Sequence, residues 1–405
     1  MQIWIVIKII EFSKILLNLI NFVYRLVILG CISLFCFRQK KIDINAQSQF
    51  RIIYKGSEHS GIKSVVDTIR EKIKPNAKVA ILNLDDKKND NLKKLLITKK
   101  SIDIFIGNPE IIFKAFFYLR FSIFNNINIG LWFWELESTP KYWTILNKVI
   151  DLNLTQSEFT HKIFKSMSKK ITKIPFKVYV PGSIDLKKCR KSLDFLNLPS
   201  KKFIFYFNFD FLSSVYRKNP FILIKSFQQA FKYESDILLV IRSINGDLKS
   251  NEKLNLINLC KKNKNIIYFD QVLSRDESLC LLNLSHCYIS LHRSEGLGLN
   301  IAEAMLSKKP VIATNYSGNL EFMNKSNSFL VDYKLVKVKP GEYLFSKSQW
   351  AEVDEDGVIK AMKDLYSNQS LRSQLVNNGY NDIKSLNKDF DSFEITKRWL
   401  KKILH

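Results

Sequence analysis

Metal-binding and disulfide frameworks are the first things this sequence lacks. Its six cysteines, Cys31, Cys36, Cys189, Cys260, Cys280 and Cys287, are scattered without a Cys-x-x-Cys pair, and no histidine stands at metal-ligand spacing. They read as reduced core thiols of a cytoplasmic protein. The five histidines make no cluster either. No Asp-x-Asp pair closes a strand where it would hold a divalent ion, and Asp85-Asp86 lies in a lysine-rich stretch where solvation accounts for it. No internal repeat and no low-complexity tract is present, and no small-residue cleavage site follows the apolar N-terminal run, which argues against a cleaved signal peptide. Acids are scarce as well, with 38 Asp and Glu against 63 Lys and Arg, a net charge of +25. Lys, Ile, Asn and Phe are over-used together, so part of that excess is compositional. The chain carries no recognisable nucleic-acid module, and nucleic acid is not an expected partner.

What is present suits a globular protein of two ordinary domains: 405 residues, 46% of them hydrophobic and 13% aromatic. Residues 1–41 stand apart. Ile15 to Phe37 holds one charge, Arg25; Lys8, Glu11 and Lys14 precede it, and Arg38, Lys40 and Lys41 follow it. The run is long enough to span a bilayer, yet an arginine near mid-span costs on the order of 2.5 kcal/mol or more. Three readings stay open: a membrane anchor with its basic end in the cytoplasm, an amphipathic helix lying in the interface, and a helix packed on the protein's own body. A second basic stretch, Phe159 to Ile184, carries Lys162, Lys165, Lys169, Lys170, Lys173 and Lys177 with no acid, which suits a solvated face or an anionic surface.

Beyond a polar joint at Asn45 to Gln49, short apolar strands alternate with periodic helical runs. Arg51–Tyr54, Val79–Leu82, Ile102–Ile106, Ile127–Trp132, Leu152–Thr155 and Lys177–Val180 read as one series of strands, with helices such as Gly61–Ile73 and Thr160–Met167 between them. Phe203–Phe209, Asp236–Arg242, Asn265–Asp270, His286–Leu291 and Lys309–Thr314 make a second series, and helical periodicity from Asp356 continues through Phe393–Leu404. The α/β alternation predicts two doubly wound parallel sheets, 50–183 and 200–380, joined by a hinge and facing a cleft, with a C-terminal helix over 381–405 returning to the first domain.

The chemistry concentrates in HCYISLHRSEGLGLNIAEAM. A strand ends near His292, the chain turns through Arg293, Ser294, Glu295, Gly296, Leu297 and Gly298, and a helix starts near Leu299. The glycines let a ligand approach the backbone, and the helix start offers unpaired N–H groups and positive dipole, an arrangement suited to a diphosphate. Glu295 and Glu303 cannot hold the anion itself. They are suited to accept hydrogen bonds from sugar and ribose hydroxyls. Ser317-Gly318-Asn319 follows the next strand on the same carboxyl edge, and Arg242 ends a strand whose loop faces the cleft, where it meets a nucleotide or pairs with Asp247. In the first half, Gly56 to Ile62, with His59 and Gly61, makes a glycine turn between strand and helix, either a cleft loop able to approach the donor phosphate or the acceptor or an ordinary turn. Trp132 to Trp143 sets three tryptophans beside Glu135 and Glu137; Trp134 and the two acids suit a saccharide platform, while Trp132 and Trp134 equally suit a core.

This pattern resembles the family-4 retaining glycosyltransferases of GT-B fold, whose E-x7-E signature matches Glu295 and Glu303. WFWELESTP (Trp132–Pro140), VYRKNPF (Val215–Phe221), SLHRSEGLGL (Ser290–Leu299), YSGNLEFM (Tyr316–Met323) and PGEY with QW (Pro340–Tyr343, Gln349-Trp350) are similar to a bacterial subgroup associated with surface-polysaccharide assembly. The resemblance implies that Glu303 holds ribose hydroxyls and Glu295 sugar hydroxyls. It places backbone N–H groups of Gly296 to Leu299 on the diphosphate or the sugar oxygens, and Lys218 on the departing diphosphate. The arginine that usually accompanies this lysine is replaced by Asn208-Phe209-Asp210, leaving Arg217 or Arg293 to stand in for it, and the histidine common near the reacting sugar is absent. The implied activity is a hexosyl transfer from a nucleoside-diphosphate sugar to a saccharide or lipid-linked acceptor, without metal or other cofactor, at the inner face of the cell membrane. A nucleotide-sugar-binding scaffold that has lost turnover is the alternative.

Overall fold

A computed structural model describes residues 2–35, 49–57, 60–73, 77, 79–86, 101–168, 170–181, 184–396 and 399–400. The first lobe is built on β1 (Gln49–Tyr54), β2 (Val79–Asn83), β3 (Ser101–Gly107), β4 (Ile127–Trp132), β5 (Leu152–Thr155) and β6 (Ile171–Lys173), in the order β2-β1-β3-β4-β5-β6 with every pair parallel. Helices cover both faces, so the central strands are apolar almost without alternation. One exception is a buried ion pair: Arg51 on β1 donates through Nε and a terminal nitrogen to both oxygens of Asp103 on β3, at 2.6 Å each.

The second lobe repeats the scheme with β7 (Phe203–Asp210), β8 (Ile237–Ile244), β9 (Ile266–Asp270), β10 (Cys287–Ser290), β11 (Val311–Thr314) and β12 (Phe329–Val331), again all parallel, in the order β12-β11-β10-β7-β8-β9. In this order β7 and β10 are central neighbours, so the loops that leave their carboxyl ends emerge side by side. That is the switch point where open α/β sheets form a crevice. The two doubly wound domains expected from the alternation are therefore present as a GT-B pair.

The sixth strand of the first lobe is displaced from its expected place. It lies at Ile171–Lys173, and Lys177–Val180 is an extended linker. Pro175 interrupts any ladder between them, and the backbone of Val178 is satisfied by a side chain instead, exchanging both hydrogen bonds with the Asn387 amide at 3.1 and 2.9 Å. Asn387 belongs to the long helix Gln369–Ser392, which leaves the second lobe at Ile383 and arrives at the first. There Lys72 donates to Asp391 O at 3.1 Å, and Ile395 bonds Lys72 O. Residues 393–396 are extended and interrupt the helical periodicity read through Phe393–Leu404, which resumes at Trp399 and Leu400, where Leu400 N bonds Thr396 O at 2.9 Å.

Helix α1 (Gln2–Phe35) lies on the first lobe over part of its length. Ile28 and Ile32 are buried against α3 (Ile111–Leu119), α4 (Trp143–Leu146) and the 3-10 turn Asn147–Val149, while Leu17, Phe22, Val23, Leu26, Val27 and Leu34 are half or more exposed. A two-stranded arm, β13 (Tyr333–Lys337) and β14 (Gln349–Val353), reaches from the second lobe so that Val338 and Trp350 join Trp134 and Trp143 in the first-lobe core. Two expectations need correction. Cys189 and Cys280 are joined in a disulfide, because helices Leu186–Ser192 and Arg275–Leu284 pack together and bring their Cα atoms to 5.0 Å. The basic stretch is not one free face, since Lys173 pairs with Glu321 at 2.8 Å and Lys177 with Asp391 at 2.7 Å; Lys169 lies outside the described residues.

Candidate active site

The loop after β10 is held by backbone before any side chain acts. Glu295 N donates to Ser317 Oγ at 2.8 Å, and Gly318 N donates to Glu295 O at 2.9 Å. The turns that follow β10 and β11 thus touch directly: a Cβ on Gly318 would sit 2.2 Å from Gly296 O. Gly298, at φ +91°, takes the left-handed conformation that ends the loop and begins the helix Leu299–Leu306. The first lobe closes on the same loop, since Ser157 Oγ and Thr160 Oγ1 both donate to Gly296 O, at 2.6 and 3.1 Å. Leu297 is buried in the second-lobe core, whereas Leu299 faces Gly61 at the start of helix Gly61–Lys72 in the first lobe. His59 lies outside the described residues.

Two cations converge on Glu295. The short helix Val215–Lys218 follows β7 and is capped by Ser214 Oγ, which accepts from Arg217 N at 3.3 Å and donates to Glu342 O of the arm at 2.6 Å. It presents Lys218 Nζ directly to one Glu295 oxygen, while Arg217 stands 3.1 Å from the other. Arg217 is buried at 4% exposure, donates to Ser213 O at 3.0 Å and Ser294 O at 2.8 Å, lies 3.9 Å from Glu135 and covers the Tyr343 ring at 5.8 Å. Tyr343 in turn donates to Glu135 at 2.6 Å.

The electrostatics follow from these distances. Burial alone would raise the Glu295 carboxyl, but the Lys218 and Arg217 charges outweigh it and hold the group well below the usual carboxylate range. Burial disfavours the Arg217 charge too, and the flanking Glu295 and Glu135 more than restore it, raising its pKa. Burial lowers the Lys218 ammonium, with Glu295 working against that shift. His292, fully buried between Ser290 and Asn319, has its pKa pushed down to about 4 by burial and so stays neutral at pH 7.

Glu303, one turn into its helix and 8% exposed, accepts from Arg275 through both oxygens, at 3.0 and 2.6 Å. Arg275 also donates to Tyr179 O in the inter-lobe linker at 2.9 Å. Sequence reading missed Arg275, Tyr343 and His292. Arg275 opens a helix at the carboxyl edge of β9 behind the Ser274–Glu277 capping box, a signal that was available; Tyr343 reaches the site only because the arm folds over the first lobe.

Of the two arginines able to replace the absent one, Arg217 joins the cluster and Arg293 does not. Arg293 turns toward the arm, where it contacts Glu352 and covers the Trp350 ring at 5.3 Å. Arg242, buried in β8, donates to Gln271 O at 3.1 Å and Ser278 Oγ at 3.0 Å, and Asp247 pairs with Lys253 instead. Trp134 is corrected from saccharide platform to core: it is 1% exposed, donates to Ser138 O at 2.9 Å and packs on Trp143 with ring centroids 4.6 Å apart. Trp132 is equally buried. The neighbouring acids do reach the lobe interface, Glu135 through Tyr343 and Arg217, and Glu137 by accepting from Tyr316 at 2.9 Å.

This geometry can be set beside known proteins. Residues 194–382 match the family model described as glycosyl transferases group 1, a segment that contains Lys218, Glu295, Glu303 and Gly318. No curated protein matches the chain. Among solved structures, a glycosyltransferase from Rickettsia africae ESF-5 is 15% identical with a TM-score of 0.60, covering 88% of this chain and 98% of its own. Anabaena Alr3699/HepE, in complex with UDP and glucose, is 13% identical with a TM-score of 0.57, over 87% and 99% of the two chains. A third, "Trehalose-6-phosphate from E. coli bound with UDP-2-fluoro glucose", is 12% identical with a TM-score of 0.58, over 88% and 99%. At such identities the likeness establishes the two-lobed fold.

Proposed function

We propose that this chain, whose residues 194–382 match the model of the glycosyl transferases group 1, transfers a hexose from a nucleoside-diphosphate sugar to a saccharide acceptor with retention at the anomeric carbon. The observation that carries this reading is the meeting of Lys218, Arg217 and Glu295 on a glycine loop clamped between the lobes. Two cations and a helix start there face the buried Glu295 and the part-buried Glu135, and an incoming diphosphate would bring negative charge that takes the place of Glu295 on Lys218.

In the proposed reaction the diphosphate takes the Lys218 ammonium from Glu295 and lies against Arg217 and the N–H groups that begin helix Leu299–Leu306. Glu295, so released, accepts hydrogen bonds from the sugar ring, and Glu303 accepts from the ribose. The bond between the anomeric carbon and the diphosphate oxygen breaks while an acceptor hydroxyl oxygen bonds that carbon on the same face. The acceptor's proton passes to the departing diphosphate. Lys218 and Arg217 supply the positive charge that a metal supplies elsewhere, so the proposed transfer needs no metal. Glu135 and Glu137, at the mouth between the lobes, are placed to take acceptor hydroxyls. The acceptor in this reading is a lipid-linked saccharide of surface-polysaccharide assembly, handled at the cytoplasmic face of a membrane. The exposed apolar side of α1 supports that setting.

A thermal-shift screen against UDP-, GDP- and other nucleotide sugars tests the donor site. One nucleotide class is expected to raise the melting temperature, and Glu303→Ala to abolish the rise. No shift with any nucleotide would sink the assignment. Release of free nucleoside diphosphate then separates an enzyme from a scaffold that binds without turnover.

A further inference from the structure

Helix α1 is fastened to the first lobe by an ion pair at the middle of its apolar run. Arg25 lies 3.1 Å from Glu110 and covers the Phe113 ring at 5.0 Å, and Tyr24 donates to Phe113 O at 3.3 Å. Glu110 is tied inward as well, accepting from Trp143 Nε1 at 2.9 Å and from Tyr142. Trp143 packs on Trp134, which packs on Tyr343 at the active site. The apolar run Leu17–Leu34 is long enough to cross a membrane and is only 11% buried. A core helix of a soluble body would be covered, so this face requires another environment.

We propose that α1 lies flat in the bilayer interface, with Leu19, Phe22, Val23, Leu26, Val27 and Leu34 immersed and the first lobe docked on its opposite side, and that it does not cross the membrane. The inference settles the mode of the membrane setting proposed above and is independent of the donor chemistry. The six apolar residues recur mostly at three- and four-residue spacing, and all six are half or more exposed, Leu34 at 75%. In sequence, Asn18, Asn21 and Arg25 recur at the same spacing and so fall on another side of the helix. A polar stripe beside the apolar one is the pattern of a helix lying in an interface, not of one surrounded by lipid. Crossing would also carry Arg25 into hydrocarbon or break it from Glu110 and strip Ile28 and Ile32 from their core.

The charge pattern selects the occupant. Phe117, 67% exposed on α3, extends the apolar surface; Lys148 is exposed on the 3-10 turn against α1; and the sequence continues beyond the helix with Arg38, Lys40 and Lys41. Apolar residues beside basic ones complement an anionic bilayer, whereas a second copy of this chain would bring like charge against like.

The full chain, synthesised cell-free with phosphatidylcholine vesicles containing about 30% phosphatidylglycerol, tests this by flotation. The wild type is expected to float and to be released by alkaline carbonate. The combined substitution Val23→Glu, Leu26→Glu and Val27→Glu is expected to lower the floated fraction by about tenfold or more while leaving the melting temperature of the body unchanged. Carbonate-resistant protein would show a spanning helix and overturn the proposal. So would a triple variant that floats like the wild type, a wild type that never floats, or a soluble wild-type dimer that the triple substitution dissociates. A failure here leaves the nucleotide-shift result untouched, so the two readings fall separately.

Discussion

Lys218 and Arg217 are neighbours in sequence with the same formal charge, yet the structure gives them different tasks. Lys218 makes one contact, to Glu295, which a diphosphate oxygen can replace. Arg217 spends its fork on Ser213 O, Ser294 O and Glu295 at once and so builds the site as well as charging it. Lys218→Ala is therefore expected to lower kcat by roughly 10²–10³-fold with the fold intact. A steady-state assay on the donor found by the thermal screen measures this, and a variant as active as wild type would make the lysine structural. Arg217→Lys keeps the charge and loses the fork. Its expected cost is about 1–3 kcal/mol of stability by chemical denaturation, because Ser213 O and Ser294 O are left without their partner.

At the scale of elements, the site depends on two turns that touch through backbone. Gly318 allows the turn after β11 to rest on Gly296 O, and any side chain there meets backbone at 2.2 Å, which no rotamer relieves. Gly318→Ala is expected to force the turns apart and cost about 2–4 kcal/mol, read by denaturant unfolding, with a smaller nucleotide shift at the same time. Equal stability of variant and wild type would mean the turns are not pressed together. The arm β13–β14 is the other element that matters. It comes from the second lobe, buries Trp350 in the first, and carries Tyr343 to the cluster, so it couples lobe position to the surroundings of Arg217 and Glu135.

For the whole molecule, contacts between the lobes around the site combine polar bonds, Ser157 and Thr160 on Gly296, Tyr316 on Glu137 and Lys173 on Glu321, with the apolar burial of Val338 and Trp350 of the arm in the first lobe. Acid should loosen the folded state in a defined window. His292 has a folded pKa of about 4 against an ordinary value of 6.5. The unfolded chain therefore binds this proton first, and the stabilisation is complete above pH 6.5 and lost as pH falls toward 4. That depression corresponds to an effect on the order of 3 kcal/mol. Burial lowers His286 too and adds a change of the same sign. Urea unfolding across this range is expected to show falling stability, with a shallower slope in His292→Gln; an identical slope would remove His292 as the cause. Glu295 keeps its charge through that window, and its own contribution is lost only below the usual carboxylate range.

The sequence by itself determined the two parallel sheets, because continuous apolar strands between periodic helices admit little else. It also determined the loop with Glu295 and Glu303, because a glycine turn between strand and helix is a local feature. The choice of Arg217 over Arg293, the hold of Arg275 on Glu303 and the arrival of Tyr343 join residues tens to hundreds of positions apart, and only tertiary structure decided them. The same holds for Trp134, whose composition suited a sugar platform and a core equally until Trp143 and Tyr343 were packed on it. It holds for α1 too: a run of apolar residues reads alike whether it spans, lies flat or packs, and the partner of Arg25 appears only when Glu110 is brought beside it. Local spacing fixes which groups share an element; which groups share a point in space is settled by packing.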